Sequence, residues 1–400
     1  MVAVAPAPAP GAGSDPVIGS AVFNDPAGGV AARYAIHRQL ARIIDRVPAG
    51  ETIRMSWFGF TDPAVAGVAD TAERPNLVER LRKAHARGVD VRIVLDHESF
   101  EDRHGNRRYP GVALAEDLGT DPAARSFLTF CREGYGCIGK RLIPGLPHPY
   151  NHNKFLIASR IVRHDGGSVR DVVFQSSGNL GAWDAESAFN NALTWSETGS
   201  YTSYLHYFED LVRYAPRATG AEDYHRTGAP ADAYRTYFFP RPESGRPDDG
   251  DPIAGILDEV SCGRGTGIRV VMWAFTRVAV ATELARKAAE GCRVDVVYAA
   301  GGTDARHPYV SPGVLTELRR GPVGLRSCGV AMRGGRTLKP HSKYLLIDGP
   351  VPQVLTGSAN LALSSLRNAD EIVVRVRDPA IHRQYLANFH LVSDRCAGKL

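Results

Sequence analysis

Two short stretches of the chain hold side chains that could do chemistry together. His152-Asn-Lys154 is followed by Ser177-Gly-Asn179, and His341-Ser-Lys343 by Gly357-Ser358-Ala-Asn360. A histidine and a lysine two residues apart on an extended strand leave the same face of it. Both copies together would gather two histidines, two lysines and two asparagines around one point. That set suits displacement at a phosphodiester, whose charge repels nucleophiles and concentrates on the non-bridging oxygens in the transition state. Lys154, Lys343, Asn179 and Asn360, with Ser177 and Ser358 beside them, form the candidate phosphate cradle. One imidazole can then attack phosphorus to give a phosphohistidine while the other protonates the leaving alcohol. The lysines supply the positive charge, so the scheme calls for no metal ion and no cofactor.

The elements that must position these residues occur twice. Residues 53–61 read as an apolar strand, 77–87 as a helix stopped by Gly88, and 89–96 as a second strand. Residues 268–276, a helix over 282–290 closed by Gly291, and a strand over 292–299 repeat that order. Each set is a βαβ unit, which predicts parallel pairing and an α/β architecture. Strands over 155–158 and 172–175 correspond to 344–347 and 354–356, and helices over 201–214 and 379–394 close the two halves. The expected fold is a pseudo-twofold α/β protein. Each half is a mixed, mostly parallel sheet flanked by helices, and the site lies between the halves. The division expected is an Ala/Pro-rich tail over 1–16, a first half over 17–238, a Pro/Gly/Asp-rich solvated linker over 239–252 and a second half over 253–400.

His341-x-Lys343, four residues, Asp348, then Gly357-Ser358-x-Asn360 resembles the complete HKD signature of the phospholipase D superfamily. The first copy departs from it at two places: Ser159 stands where the motif has aspartate, and Ser176 where it has glycine. Asp348 is read as structural support rather than as a proton carrier. The likeness runs from about residue 20 to the end of the chain, and its general look is that of secreted actinobacterial phospholipase D-like proteins. It implies the duplicated fold, a phosphohistidine route and a phosphodiester substrate.

An asymmetry between the copies bears on which histidine attacks. Eleven residues after Asn360 comes Glu371, whereas eleven after Asn179 comes Asn190. In the family this sequence resembles, the group at that position hydrogen-bonds the histidine of the opposite half. A carboxylate stabilises an imidazole that gains charge on attack and fixes its tautomer; an amide only orients. His152 is therefore the expected nucleophile, oriented by Glu371. His341 is the expected general acid, oriented by Asn190 or its neighbour Asn191.

Substrate is less sharply written. Resemblance favours a phospholipid, with hydrolysis or phosphatidyl transfer to an alcohol as outcomes. The alternatives are a metal-independent nuclease or nucleotide phosphodiesterase, and a degenerate repeat that only binds anions. No Arg/Lys stripe interleaved with aromatics marks a nucleic-acid path. A formal charge of +5 on 400 residues is too mild to choose a partner. Charges interrupt every apolar run before it reaches a membrane span, leaving peripheral membrane contact as the expected kind. A duplicated chain completes its own site, so a monomer is expected. Six cysteines without a Cys-x-x-Cys pair suit disulfides, with Cys131 and Cys137 a local pair, and so an oxidising, secreted setting, although the first residues lack a signal peptide's basic start and apolar centre. Trp57 and Trp273 fall in strands and are expected in the core. Asp96-His97-Glu98 is expected in a strand-end loop near the cleft, and the 144–150 loop with His148 either lines the entrance or braces it.

Overall fold

The computed structural model describes residues 14–102, 104–221, 224, 226–228, 233–242, 250–263, 265–302, 308–332 and 334–398. Most of the expected tail and the centre of the expected linker lie outside them. Two large sheets organise the chain. The first contains β1 (Ser20–Phe23), β2 (Thr52–Trp57), β3 (Asp90–Leu95), β4 (Phe127–Phe130), β5 (Lys154–Val162), β6 (Ser168–Ser176) and, after the two-residue β7 (Ala188–Phe189) that leaves the sheet, β8 (Asn191–Ser196). Its order is β1-β8-β6-β5-β2-β3-β4. The second holds β9 (Arg226–Thr227), β10 (Tyr234–Phe238), β11 (Gly267–Met272), β12 (Arg293–Ala299) and β13 (Gly324–Cys328). It is completed, after β14 (Val330–Ala331) and β15 (Thr337–Pro340), by β16 (Lys343–Ile347), β17 (Gln353–Gly357) and β18 (Ile372–Val376). The order β13-β12-β11-β16-β17-β18-β10-β9 repeats that of the first sheet from β4 through to β8.

The duplicated mixed architecture read from the sequence is present, but parallel pairing does not predominate. Within the two large sheets it is confined to β2·β3, β3·β4, β11·β12 and β12·β13, where crossovers with helices such as Leu77–Ala86 and Val278–Ala289 allow it. The strands that carry the polar motifs, β5·β6 and β16·β17, are joined by short turns and must run antiparallel. The change of sheet also comes before the Pro-rich stretch: β10 pairs with β18 over five residues. That stretch begins packed rather than solvated, since Phe239 is buried and donates its N–H to the Glu371 carbonyl.

Alternation along the strands fills three cores. One face of the first sheet packs Ile53, Met55, Ile93 and Leu156 against the helices Ala35–Arg46 and Leu77–Ala86. The second sheet does the same with Ile268, Val270 and Leu345. The opposite faces share one core, in which Phe155, Val173, Leu346 and Val374 meet the helices Thr198–Tyr214 and Pro379–Cys396. Each of those closing helices starts on a carboxylate cap, Glu197 or Asp378, that accepts two N–H groups of the first turn. Cysteines pair as Cys131–Cys137, Cys262–Cys292 and Cys328–Cys396. Among the described residues no helix is long and apolar enough to cross a membrane.

Candidate active site

Each His-x-Lys run enters its sheet at the carboxyl end of the first βαβ strand: Lys154 pairs with Trp57, the last residue of β2, and Lys343 with Met272, the last of β11. The end of the parallel strands is where α/β sheets bind ligands. Two matching cross-half bridges then lock the halves together. Asn151, just before His152, bridges Asp370, just before Glu371. Pro340, just before His341, pairs with Phe189, just before Asn190. The pattern sets each histidine beside the orienting residue of the opposite half.

His152 Nδ1–H donates to Glu371 Oε1 at 2.8 Å, and Ser365 Oγ–H donates to the same oxygen at 2.8 Å. His341 Nδ1–H points at Asn190 Oδ1, 3.0 Å away, and lies 3.2 Å from Asp184 Oδ1. With Nδ1 so engaged, Nε2 is the free nitrogen of both rings. Asp184 is the group the sequence reading missed. It lies five residues after Asn179, where Ser365 lies five after Asn360. The picture of His341 against an amide alone is thereby corrected: both histidines face a carboxylate. Asn191 does not reach His341; its amide donates to Thr356 Oγ1 and Tyr385 Oη at 2.8 and 2.9 Å.

Lys154 Nζ donates to the His152 carbonyl at 2.9 Å, and Lys343 Nζ to the carbonyls of His341 and Ser177 at 2.6 and 3.3 Å, the latter across the halves. All four His and Lys side chains are buried. Burial lowers the pKa of His152 to about 4 and that of His341 to about 3, so both rings are neutral at pH 7. Burial also pulls Lys154 down to about 7 and Lys343 well below its ordinary value. Hydrogen bonds and the charge of His341 outweigh desolvation at Asp184 and hold it at about 2. Buried ammonium groups are costly without a counter-charge, so an anion between the lysines would be bound with proton uptake.

Asn179 is fixed by an N–H bond to Asp184 Oδ1 at 2.9 Å, and its own Oδ1 has no partner among the described residues. Asn360 Oδ1 accepts from the Ala274 N–H, 3.3 Å away, and Arg277, ion-paired with Asp251, holds its carbonyl. Ser177 and Ser358 serve the scaffold: Ser177 Oγ–H donates to Asn190 Oδ1 at 2.9 Å, and Ser358 Oγ accepts from the Ile372 N–H at 3.0 Å. Asp348 pairs with Arg269 and His382. In the first half Glu51 takes that structural task, accepting from Ser159 Oγ–H and Arg160 at 2.7 Å each. Ser176 fits in place of glycine because its Oγ accepts the Gly178 N–H at 3.0 Å.

Aromatic rings wall the site. Phe58 and Tyr150 lie 5.1 and 5.3 Å from the His152 ring, and Trp273 and Trp183 5.1 and 5.6 Å from His341. Trp273 is half-buried in this wall, not in the core, because the strand ends one residue before it; Trp57 is in the core as expected. Asp96 sits near the cleft, accepting the Asn151 N–H at 2.8 Å.

Residues 264–392 match the family described as cardiolipin synthase, phospholipase D-like domain. That match places a phospholipase D-like domain in the second half of the chain. No curated protein matches its sequence. The phospholipase D-like fold extends over the rest. It is similar to phosphatidylserine synthase of Haemophilus influenzae Rd KW20, at 12% identity and a TM-score of 0.59 over 94% of this chain and 86% of that one. It is also similar to polyphosphate kinase of Porphyromonas gingivalis, at 14% identity and a TM-score of 0.54 over 92% of this chain. This phospholipase D-like chain spans about half, 49%, of that kinase's length.

Proposed function

We propose that the protein is a phospholipase D-type phosphodiesterase that cleaves phospholipid phosphodiester bonds through a phosphohistidine on His152. The observation that carries this is the pair of buried imidazoles, each held at Nδ1 by the opposite half, with two buried lysines bonded to the histidine carbonyls. His152 is assigned the attack because its Nδ1 is set on Glu371 at 2.8 Å, whereas that of His341 is divided between Asn190 and Asp184 at 3.0 and 3.2 Å. His152 Nε2 attacks phosphorus, its Nδ1–H charge balanced by Glu371 2.8 Å away. The phosphorus–oxygen bond to the leaving alcohol breaks, and His341 Nε2 gives that oxygen its proton. Asp184 and the substrate anion supply the negative charges that a protonated His341 needs. In the second step His341 takes a proton from water, the water oxygen attacks phosphorus and the nitrogen–phosphorus bond breaks. Lys154, Lys343, Asn179 and Asn360 stabilise the non-bridging oxygens throughout.

The ring wall favours a lipid diester over a polynucleotide. Trp183, 45% exposed, and Trp273 flank His341, where the leaving group departs, and Tyr309 packs on Trp273 at 4.0 Å. A strand of nucleic acid needs cations along its flanking phosphates, whereas rings suit an apolar or quaternary-ammonium head group.

Phosphatidylcholine vesicles, single-stranded DNA and bis(p-nitrophenyl) phosphate, each offered with chelator, test this against His152→Asn and His341→Asn. The expected result is lipid cleavage, lost in both variants, with the phosphoprotein trapped by denaturant at alkaline pH absent from His152→Asn. Cleavage of DNA alone would move the protein to a nuclease, and full activity in both variants would end the proposal.

A further inference from the structure

Asp370 has no place in the scheme above, yet it is fully buried one residue from Glu371. Its carboxylate accepts three successive backbone N–H groups of the other half: Cys137 at 2.6 Å, Ile138 at 3.1 Å and Gly139 at 2.7 Å. Consecutive N–H groups converging in this way form an anion-binding nest. The Cys131–Cys137 disulfide closes the loop that presents them. Asp370 also grips the segment before the nucleophile, donating its N–H to the Tyr150 carbonyl and accepting the His152 N–H, both at 3.0 Å.

The loop's glycines are what permit the approach. A Cβ on Gly136 would lie 2.9 Å from Asp370 Oδ2, and one on Gly139 would lie 2.3 Å from the Asn368 carbonyl oxygen. The equivalent of Asp370 in the first half is Phe189, one residue before Asn190. Phe189 makes the same kind of backbone bridge, accepting the His341 N–H at 2.9 Å, with a ring in place of a carboxylate. The bridge therefore does not require an acid; the acid serves something particular to the His152 side.

We propose that Asp370 is a positioning residue for the His152–Glu371 pair, and that the disulfide-closed loop ending at Cys137 is the strap that holds it there. This rests on the phosphohistidine reading above. The strap fixes Asp370, Asp370 fixes the backbone on either side of Glu371 and His152, and the imidazole is presented in one tautomer and one direction. An error of about 1 Å at a reacting group can cost about 10²-fold in rate, so a loosened strap acts on turnover more than on binding.

Asp370→Asn, Cys131→Ser/Cys137→Ser and, as a control, Cys262→Ser/Cys292→Ser test this, with thermal melting to establish folding, kcat and KM on the diester, and 15N spectra of the histidine rings. Asp370→Asn is expected to lose about 10²-fold in kcat with KM within about twofold. Its His152 ring should leave the single Nδ1–H tautomer while His341 keeps its signature. The Cys131/Cys137 variant should change in the same direction, and the Cys262/Cys292 control should melt earlier with kcat and both rings unaltered. Folded variants with wild-type kcat and an unchanged His152 ring overturn the proposal, as do changes shared equally by both rings. If Asp370→Asn does not fold, the Cys131/Cys137 variant decides. If the wild type turns over no diester, the functional reading fails while the ring spectra still decide the positioning.

Discussion

The two histidines are oriented by carboxylates drawn from different places in the repeat. In the first half the residues five and eleven after the motif asparagine are Asp184 and Asn190; in the second they are Ser365 and Glu371. Each half thus offers one acid and one neutral partner, with positions exchanged. Comparison at the eleventh position alone finds Glu371 and hides Asp184, because the fifth position is acidic in only one copy. Asp184→Asn should lower kcat about 10²–10⁴-fold, the range for removing the carboxylate behind a catalytic imidazole, while Asn190→Ala costs less; steady-state kinetics on bis(p-nitrophenyl) phosphate compares them. The lysines make a second prediction. Burial leaves Lys154 titrating at about 7, and a bound anion raises that value. Binding strength is then fully present below pH 7 and falls as pH rises through it. Sulfate, which does not titrate there, should take up about one proton per Lys154 at pH 8. Calorimetry in buffers of different ionisation enthalpy measures this, and no uptake would mean that Lys154 is charged before the anion arrives.

At the scale of elements, the βαβ units were legible because apolar runs, helix periodicity and the stop signals Gly88 and Gly291 agree. The direction of the remaining strands was not, since antiparallel pairing follows from short turns that hydrophobic pattern does not reveal. Trp273 was misplaced for a related reason: periodicity runs on through 273 although the strand stops at Met272. Gly357 shows how an element end is tuned. Its φ is 153°, and a Cβ there would meet the Ile372 carbonyl oxygen at 2.1 Å. β17 and β18 can close on one another only over a bare backbone, directly before Ser358 and Asn360. Gly357→Ala should destabilise the fold by about 1–3 kcal/mol, the cost of a strained backbone position, and should lower kcat by displacing Asn360. Chemical denaturation together with kinetics checks both effects; unchanged stability would show that β18 can move away freely.

The whole molecule is assembled so that neither half is complete alone. Glu371 serves His152, and Asp184 and Asn190 serve His341, so a fragment bearing one His-x-Lys run lacks the groups that orient it. The composition of the sheets dictates where such a division must fall. β10 precedes the Pro-rich stretch but covers β18 over five residues, and Phe239 reaches the Glu371 carbonyl. A fragment of residues 240–400 therefore exposes β18, Ile-Val-Val-Arg-Val, as an apolar edge of the kind that recruits other chains. A fragment of residues 222–400 keeps that edge paired. Sedimentation should find the shorter fragment aggregated and the longer one dispersed, although they differ by less than a twentieth of the chain's 400 residues. Each fragment should be inactive alone, and mixing 222–400 with 14–221 should restore turnover, because the shared core and the two bridges at Asn151–Asp370 and Phe189–Pro340 form only between them. Equal dispersion of both C-terminal fragments would show that β18 needs no cover, and turnover by either fragment alone would break the cross-half account of the site.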